Sequence, residues 1–236
     1  MRLFAGTSGF AYPAWKGSFY PEGLQNGEML AYYAVRLDAV EINNTFYRMP
    51  KSAMFVDWVS KVPDEFSFAI KAPQKITHGA RLLDTKPATD RLFEVCAALD
   101  RHLGPVLFQL PPQQRTDPER LQHFLQELPP QARVAFEFRH PSWADDAIYT
   151  LLGARGAALC VGDSETGSPV PLVPTASFGY LRLRRDEYSE LELQQWIARI
   201  RDTDWQDVFV FFKHEDEGMA ARLALRFREL FRDMHG

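Results

Sequence analysis

The feature that most restricts this chain's fold is an alternation kept up from end to end: short apolar runs of strand length separated by amphipathic stretches of helical period. Repeated strand–helix units of this kind build a parallel sheet with helices packed against its outer face. The strand-like runs fall at residues 2–7, 39–43, 66–71, 106–110, 133–138, 157–163, 178–183 and 208–212. Helices are expected over 28–37, 53–62, 90–102, 121–128, 147–154, 191–201 and 219–231. Asp117-Pro118-Glu119 supplies the helix at 121–128 with an N-cap and a first-turn proline. Eight such runs in 236 residues predict a single (β/α)8 barrel of the TIM type.

One unit departs from the alternation. Residues 164–177 hold Pro169, Pro171 and Pro174, which an ordinary helix does not tolerate. An irregular loop over the barrel flank is therefore expected between strands six and seven. A doubly wound open sheet is the alternative fold, but the glycine fingerprint that follows its first strand is missing. No linker, composition shift or repeat divides the chain, so residues 1–236 are expected to form one domain.

The polar residues fall at the strand ends. Thr7-Ser8 closes the first run, Glu41 and Asn43 lie in the second, Lys71 ends the third and Gln109 lies near the end of the fourth. Glu137-Phe138-Arg139-His140 follows on the fifth, Asp163 on the sixth, Tyr180 and Arg182 on the seventh, and Lys213-His214 after the eighth. Strand side chains alternate, so Glu41 shares a face with Asn43, and Glu137 with Arg139. Val40, Ile42, Phe136 and Phe138 then face the helices, and the polar set points into the mouth where barrels of this type place catalytic groups. As a purely structural network, neighbouring strands would pair Glu41 with Lys71, and Arg139 with Asp163 or Arg182. Buried ion pairs are poor stabilisers, which favours a functional site. Loops of the same end carry Phe10, Tyr12, Trp15, Phe19, Tyr20, Phe46, Tyr47 and Trp143, candidate walls for a ring, sugar or base.

Linked motifs occur in order: Gly6-Thr7-Ser8-Gly9, Trp15-Lys16-Gly17 with Phe19-Tyr20-Pro21, and Glu41-Ile42-Asn43-Asn44-Thr45-Phe46-Tyr47. They continue with Lys71-Ala72-Pro73, Thr77-His78, Leu107-Phe108-Gln109-Leu110-Pro111-Pro112 and Phe136-Glu137-Phe138-Arg139-His140-Pro141-Ser142-Trp143. In these motifs the chain resembles, over essentially its whole length, the YecE-like family, a domain-of-unknown-function family (number 72) with a barrel fold. The resemblance implies the barrel and brings no reaction with it. Where many relatives carry His-Gly after strand seven, this chain has Arg184-Arg185, and where paired Asn often follows strand eight it has Lys213-His214. The resemblance thereby implies a more cationic pocket here.

The residues support three readings. The first is an enzyme acting on a small anionic substrate, phosphorylated or carboxylated, by acid–base or hydrolytic chemistry. Glu41, Lys71, Glu137 and Asp163 would be its catalytic groups. Burial raises a carboxyl pKa and nearby cations lower it, so the carboxylates could be driven apart in role. Thr7, Tyr12, Trp15, Asn43, Tyr47, Gln109, Arg139, His140, Trp143, Tyr180 and Arg182 would bind substrate, the arginines suiting a bidentate grip on phosphate or carboxylate. The second reading adds a divalent metal, for phosphodiesterase-, endonuclease- or sugar-isomerase-like chemistry. Glu41, Glu137, Asp163, His78, His140 and His214 are of the right ligand type, but the interleaved cations oppose it and no cofactor is expected outright. The third is a non-catalytic nucleotide or nucleic-acid binding module using Arg222, Arg226 and Arg228. It is disfavoured by a net charge of −4 and by Asp216, Glu217 and Glu229 nearby.

No Walker-type loop, dinucleotide glycine motif or Gly-x-Ser-x-Gly elbow is present. Cys96 and Cys160 lack metal-type spacing and read as buried free thiols. Met1-Arg2-Leu3-Phe4 leads straight into a strand and no tract is suited to span a bilayer, so a cytoplasmic location without membrane partners is expected.

Overall fold

Strand β1 (Arg2–Ser8) pairs in parallel with β2 (Ala39–Ile42) on one side and with β8 (Asp207–Phe212) on the other. Strands β3 (Ser67–Lys71), β4 (Leu103–Gln109), β5 (Val134–Glu137), β6 (Ala158–Gly162) and β7 (Phe178–Leu183) complete the circle in chain order. The computed structural model describes residues 1–163, 172–213 and 217–234, and its eight parallel strands form a closed (β/α)8 barrel. Among the described residues seven α-helices surround it: α1 (Met29–Ala34), α2 (Ser52–Val59), α3 (Lys86–Cys96), α4 (Pro118–Glu127), α5 (Asp146–Arg155), α6 (Glu190–Arg201) and α7 (Met219–Asp233). Of the expected irregular unit, residues 164–171, with Pro169 and Pro171, lie outside the described residues, and 172–177 hold neither helix nor strand.

The period of two along each strand divides the core into two layers. Val40, Ile42, Phe68, Ile70, Val106, Phe108, Val134, Phe136, Leu181, Val208 and Val210 pack against the helices. Inside the barrel lie Phe4, Ala39, Ala69, Leu107, Ala135, Ala158, Cys160, Phe178, Tyr180, Phe209 and Phe211. The interior is lopsided: rings from β1, β7 and β8 fill it, and alanines on β2, β3, β5 and β6 make room for them. Large side chains facing small ones keep such a barrel filled.

Local chemistry accounts for the element ends. Asp117 accepts the Arg120 N–H at 3.0 Å and caps α4, as its position ahead of Pro118 predicts. Ser189 and Glu192 form a reciprocal capping box on α6, and Gly156 closes α5 in the left-handed conformation at φ 66°. Helix α3 begins before residue 90 because Pro87 stands in its first turn. The expected continuation to 102 is a 3-10 segment, Ala97–His102, interrupted at Asp100 with φ 47°. Among the described residues no helix is long and apolar enough to cross a membrane. Both cysteines are buried and free, and burial pushes the Cys96 thiol up to about 12.

Candidate functional site

On five of the strands the interior positions end, at the C-terminal mouth, in polar groups. Ala39 is followed two residues on by Glu41, Ala69 by Lys71, Leu107 by Gln109, Ala135 by Glu137, and Tyr180 by Arg182. Glu41 and Arg182 are almost wholly shielded from water, their side chains 0 % and 3 % exposed.

Arg182 is the centre of this group. Its Nη2 donates to Glu41 Oε1 at 2.8 Å and its Nη1 to Glu137 Oε2 at 2.7 Å. Glu41 also accepts from Ser8 Oγ at 2.8 Å, Asn43 Nδ2 at 3.2 Å and Tyr180 OH at 2.8 Å. Glu137 also accepts from Gln109 Nε2 at 2.7 Å, Arg184 Nη2 at 2.6 Å and Arg139 Nε at 3.2 Å. Sequence adjacency suggested pairs between neighbouring strands, Glu41 with Lys71 and Arg139 with Asp163 or Arg182. The guanidinium on β7 instead reaches across to β2 and β5. An inward arginine near the barrel axis is long enough to reach non-neighbouring strands.

The electrostatics follow from burial and these partners. Burial alone pushes the Glu41 carboxyl up, but the Arg182 charge and the Tyr180 and Ser8 hydrogen bonds outweigh it and hold it low. Glu137 follows the same balance: burial raises it, and Arg182, Arg184 and Arg139 carry it well below the ordinary carboxylate range. The two carboxylates are therefore held ionised together rather than driven apart into acid and base. Burial, reinforced by the Arg182 charge, lowers the Lys71 ammonium to about 8. Its Nζ rests 4.2 Å from the centroid of the Phe46 ring, without a hydrogen bond among the described residues.

The loop after β2 sets up that contact. Thr45 Oγ1 donates to the Lys71 carbonyl at 2.6 Å, and a 3-10 turn, Asn44–Phe46, carries Phe46 beneath the lysine. His78, on a single π-helical turn at Lys75–Gly79, stands edge-on to the same ring with centroids 4.9 Å apart. Its pKa is lowered by burial and by the Lys71 and Arg139 charges. Residues 41–47 thus contribute one carboxylate, one loop anchor and one aromatic floor.

Several expected ligand-binding residues lie elsewhere. Thr7 has the opposite parity from Ser8: its hydroxyl donates to the Gly9 carbonyl at 2.6 Å and lies 2.9 Å from the Tyr33 hydroxyl on α1, so Ser8 is the β1 residue in the network. Asp163 follows Gly162 out of the interior register. It accepts from the Arg184 N–H at 2.7 Å and from Tyr188 OH at 2.5 Å, pinning the β7–α6 connection. Trp15 is wholly buried among Tyr12, Phe19 and Tyr20, forming a plug rather than a wall. Tyr12 donates its hydroxyl to the Ser8 carbonyl at 2.7 Å. Trp143 is buried, stacked on Phe138 at 4.4 Å, with its indole N–H on the Gln114 carbonyl. His140 Nδ1 accepts the Ser142 N–H at 3.1 Å and turns the chain, while Tyr47 is 77 % exposed against Phe46.

Arg184, noted from sequence only as a departure from relatives, proves to be a direct Glu137 partner, and Tyr188 was not anticipated. Continuing the parity of Tyr180 and Arg182 by two residues points to Arg184; nothing local signals Tyr188. The glycines of Gly6-Thr7-Ser8-Gly9 are steric: a Cβ on Gly6 would lie 1.8 Å from the Ala39 carbonyl oxygen, and Gly9 has φ 94° beneath the Tyr12 ring.

Among the described residues no group of three or more His, Cys, Asp or Glu side chains gathers as a metal-ligand set, and His214 lies outside them. The Arg182 guanidinium fills the place between Glu41 and Glu137 that a cation would take. On α7, Arg226 pairs at the surface with Glu190 and Glu229, and Arg228 pairs with Asp38, so acidic neighbours partly neutralise both charges.

A family profile described as "Protein of unknown function DUF72" matches residues 4–235. The chain belongs to the DUF72 family. Among solved structures, a DUF72 family protein from Thermotoga maritima MSB8 shares 28 % identity and superposes with a TM-score of 0.87 over 98 % of this chain and 100 % of that one. The UPF0759 protein YunF of Bacillus subtilis (strain 168) is 25 % identical over 86 % of this chain and 86 % of its own. The UPF0759 protein YecE of Escherichia coli (strain K12) is 31 % identical over 135 residues, 56 % of this chain and 48 % of YecE, so the matched part spans about half of that relative. A D-psicose 3-epimerase from Clostridium cellulolyticum H10, at 10 % identity and a TM-score of 0.62, shares the barrel fold with this DUF72 chain.

Proposed function

We propose that this DUF72 protein is an enzyme that binds a small anionic substrate, carrying a phosphate or carboxylate, at the C-terminal mouth of its barrel. The observation that carries the reading is an excess of cations around carboxylates that are already fully coordinated. Arg182, Arg184, Arg139 and Lys71 surround Glu41 and Glu137, and each carboxylate oxygen already accepts at least one hydrogen bond. A network built only for neutrality would balance its charges. The Nε atoms of Arg182 and Arg184 are buried and unpaired, which supports the reading. Arg228 shares that property at the other end of the barrel, so the unpaired atoms alone do not single out the mouth; its cations differ in surrounding two carboxylates bridged by an arginine that is itself buried.

In this reading Glu41 and Glu137 hold the guanidinium groups in place. The Arg184 head, with a side chain 22 % exposed, and the outer Arg139 meet the anion. The groups left for proton transfer are Lys71, whose pKa falls towards neutrality, and His78, whose lowered pKa favours the neutral imidazole. This shifts the acid–base role from the carboxylates to the lysine side of the mouth.

The test is a thermal-denaturation screen at low salt against inorganic phosphate, sugar phosphates and small carboxylates, run on the wild type and on Arg184→Ala. At least one anion should raise the wild-type midpoint by several degrees and lose about tenfold in affinity in the variant, as expected for a charge-assisted hydrogen bond. Anions that stabilise neither protein, or both equally, would remove the proposal.

A further inference from the structure

Lys71 is placed unlike a lysine retained for ion pairing. Two carboxylates lie close enough to feel its charge, yet the arginines take their oxygens and the ammonium rests on the face of Phe46. Its backbone is fixed through the Thr45 hydroxyl, and His78 borders the same ring. His78 Nδ1 is engaged with Thr77 Oγ1 at 2.9 Å, and its other ring nitrogen has no partner among the described residues. The segment that follows His78 is strained: Arg81, Leu82 and Asp84 have φ of 52°, 68° and 51°, conformations held only where surrounding structure imposes them.

From this arrangement we infer that Lys71 is a nucleophilic amine that forms an imine with a carbonyl group of the anionic substrate. The inference rests on the anion-binding reading for how the substrate is oriented. Desolvation beside another cation is how a lysine amine becomes reactive near neutral pH. With a value of about 8, roughly a quarter of Lys71 is neutral at pH 7.5, against about a thousandth of an ordinary lysine. The groups facing it are Arg182, Arg139, Glu41, Glu137 and His78.

In the step itself, the neutral nitrogen attacks the carbonyl carbon and the C=O π pair passes to oxygen. That oxygen takes up a proton as the nitrogen loses one, giving a carbinolamine. The carbinolamine oxygen then accepts a second proton, relayed by His78 or solvent, and leaves as water while the nitrogen lone pair closes the C=N bond. Amine, carbonyl compound and one proton thus give an iminium ion and water. The substrate class is a small aldehyde or ketone with a carboxylate or phosphate a few atoms from its carbonyl. Arg184 and Arg139 hold that anionic end.

Borohydride trapping tests the assignment. The wild-type protein is incubated with pyruvate, dihydroxyacetone phosphate or neutral hydroxyacetone, reduced, digested and mapped by mass spectrometry. Labelling at Lys71 should exceed that at exposed Lys51 and Lys75 about tenfold for an anionic probe. Its rate should rise with pH through about 8. Lys71→Arg, which keeps the charge but cannot form the imine, should fold, still bind the anion and show no excess label. Labelling of all lysines according to their exposure, with anion binding intact, overturns the imine and leaves the anion reading standing. Equal labelling of Lys71 by hydroxyacetone and pyruvate upholds the imine and removes the anion reading.

Discussion

The two ends of the barrel each carry a cluster of arginines around carboxylates, and the two are built on different terms. At the N-terminal end Asp207 accepts from Arg2 at 3.0 Å and from Arg133, while the guanidinium groups lie over Phe4, Phe178 and Phe209. The Arg2 and Arg133 side chains are 59 % and 38 % exposed, so both charges keep water while lying over the rings that close the interior. At the C-terminal end Arg182, Glu41 and Glu137 are 3 %, 0 % and 7 % exposed, and the desolvation is complete. A half-solvated cluster closes the barrel at small cost. A dry triad brings little net stability, because desolvation offsets the attraction, and this supports the proposed anion site at the mouth.

The largest effect that would sharpen this contrast is at Arg182. Arg182→Met leaves two buried carboxylates without their common partner and should cost about 3–5 kcal/mol in urea unfolding at pH 7. The triple variant that also carries Glu41→Gln and Glu137→Gln should recover most of that loss. The acid limb should change with it. Glu41 and Glu137 have folded pKa values below their unfolded ones, so their contribution is complete above about pH 4.3 and is lost as the pH falls through the folded values. The triple variant should lack that acid slope. If Arg182→Met costs no more than a surface ion pair, the two ends do not differ as described.

A smaller effect of opposite sign is expected at Lys71. Its folded pKa lies below that of the unfolded chain, which therefore binds more protons between about pH 8 and pH 10.4, so wild-type stability rises across that window. Lys71→Met removes a poorly solvated cation and should stabilise the protein at pH 7 by about 1–2 kcal/mol after allowance for screening. The difference from wild type should close by about pH 10.4. A flat difference across that range would show that the lysine is well hydrated. The smallest change is expected at the other end, where Asp207→Asn should cost only about 1 kcal/mol, because Arg2 and Arg133 already reach water. A loss as large as that of Arg182→Met would erase the contrast.

How much of this was legible beforehand varies with the range of the interaction. Alternation and caps are local, so the eight strands, the Asp117 cap and the inward parity of Glu41, Lys71, Gln109, Glu137 and Arg182 could be read along the chain. Parity and distance decide the rest. Ser8, not Thr7, points inward on β1, and Gly162, not Asp163, holds the inward position on β6. Trp15 and Trp143 were expected as walls, but a loop tryptophan's fate depends on which other rings meet it. Tyr12, Phe19 and Tyr20 enclose one, and Phe138 stacks on the other.

By itself, then, the sequence determined a closed parallel barrel with a polar C-terminal mouth, because hydrophobic period and strand parity are properties of neighbouring residues. Only the tertiary structure decided that Arg182 on β7 joins Glu41 on β2 to Glu137 on β5, and that Lys71 is left on an aromatic ring instead of in an ion pair. Partners far apart in the chain are selected by the reach of side chains across a barrel interior. The protonation of each group follows from how much water that interior excludes.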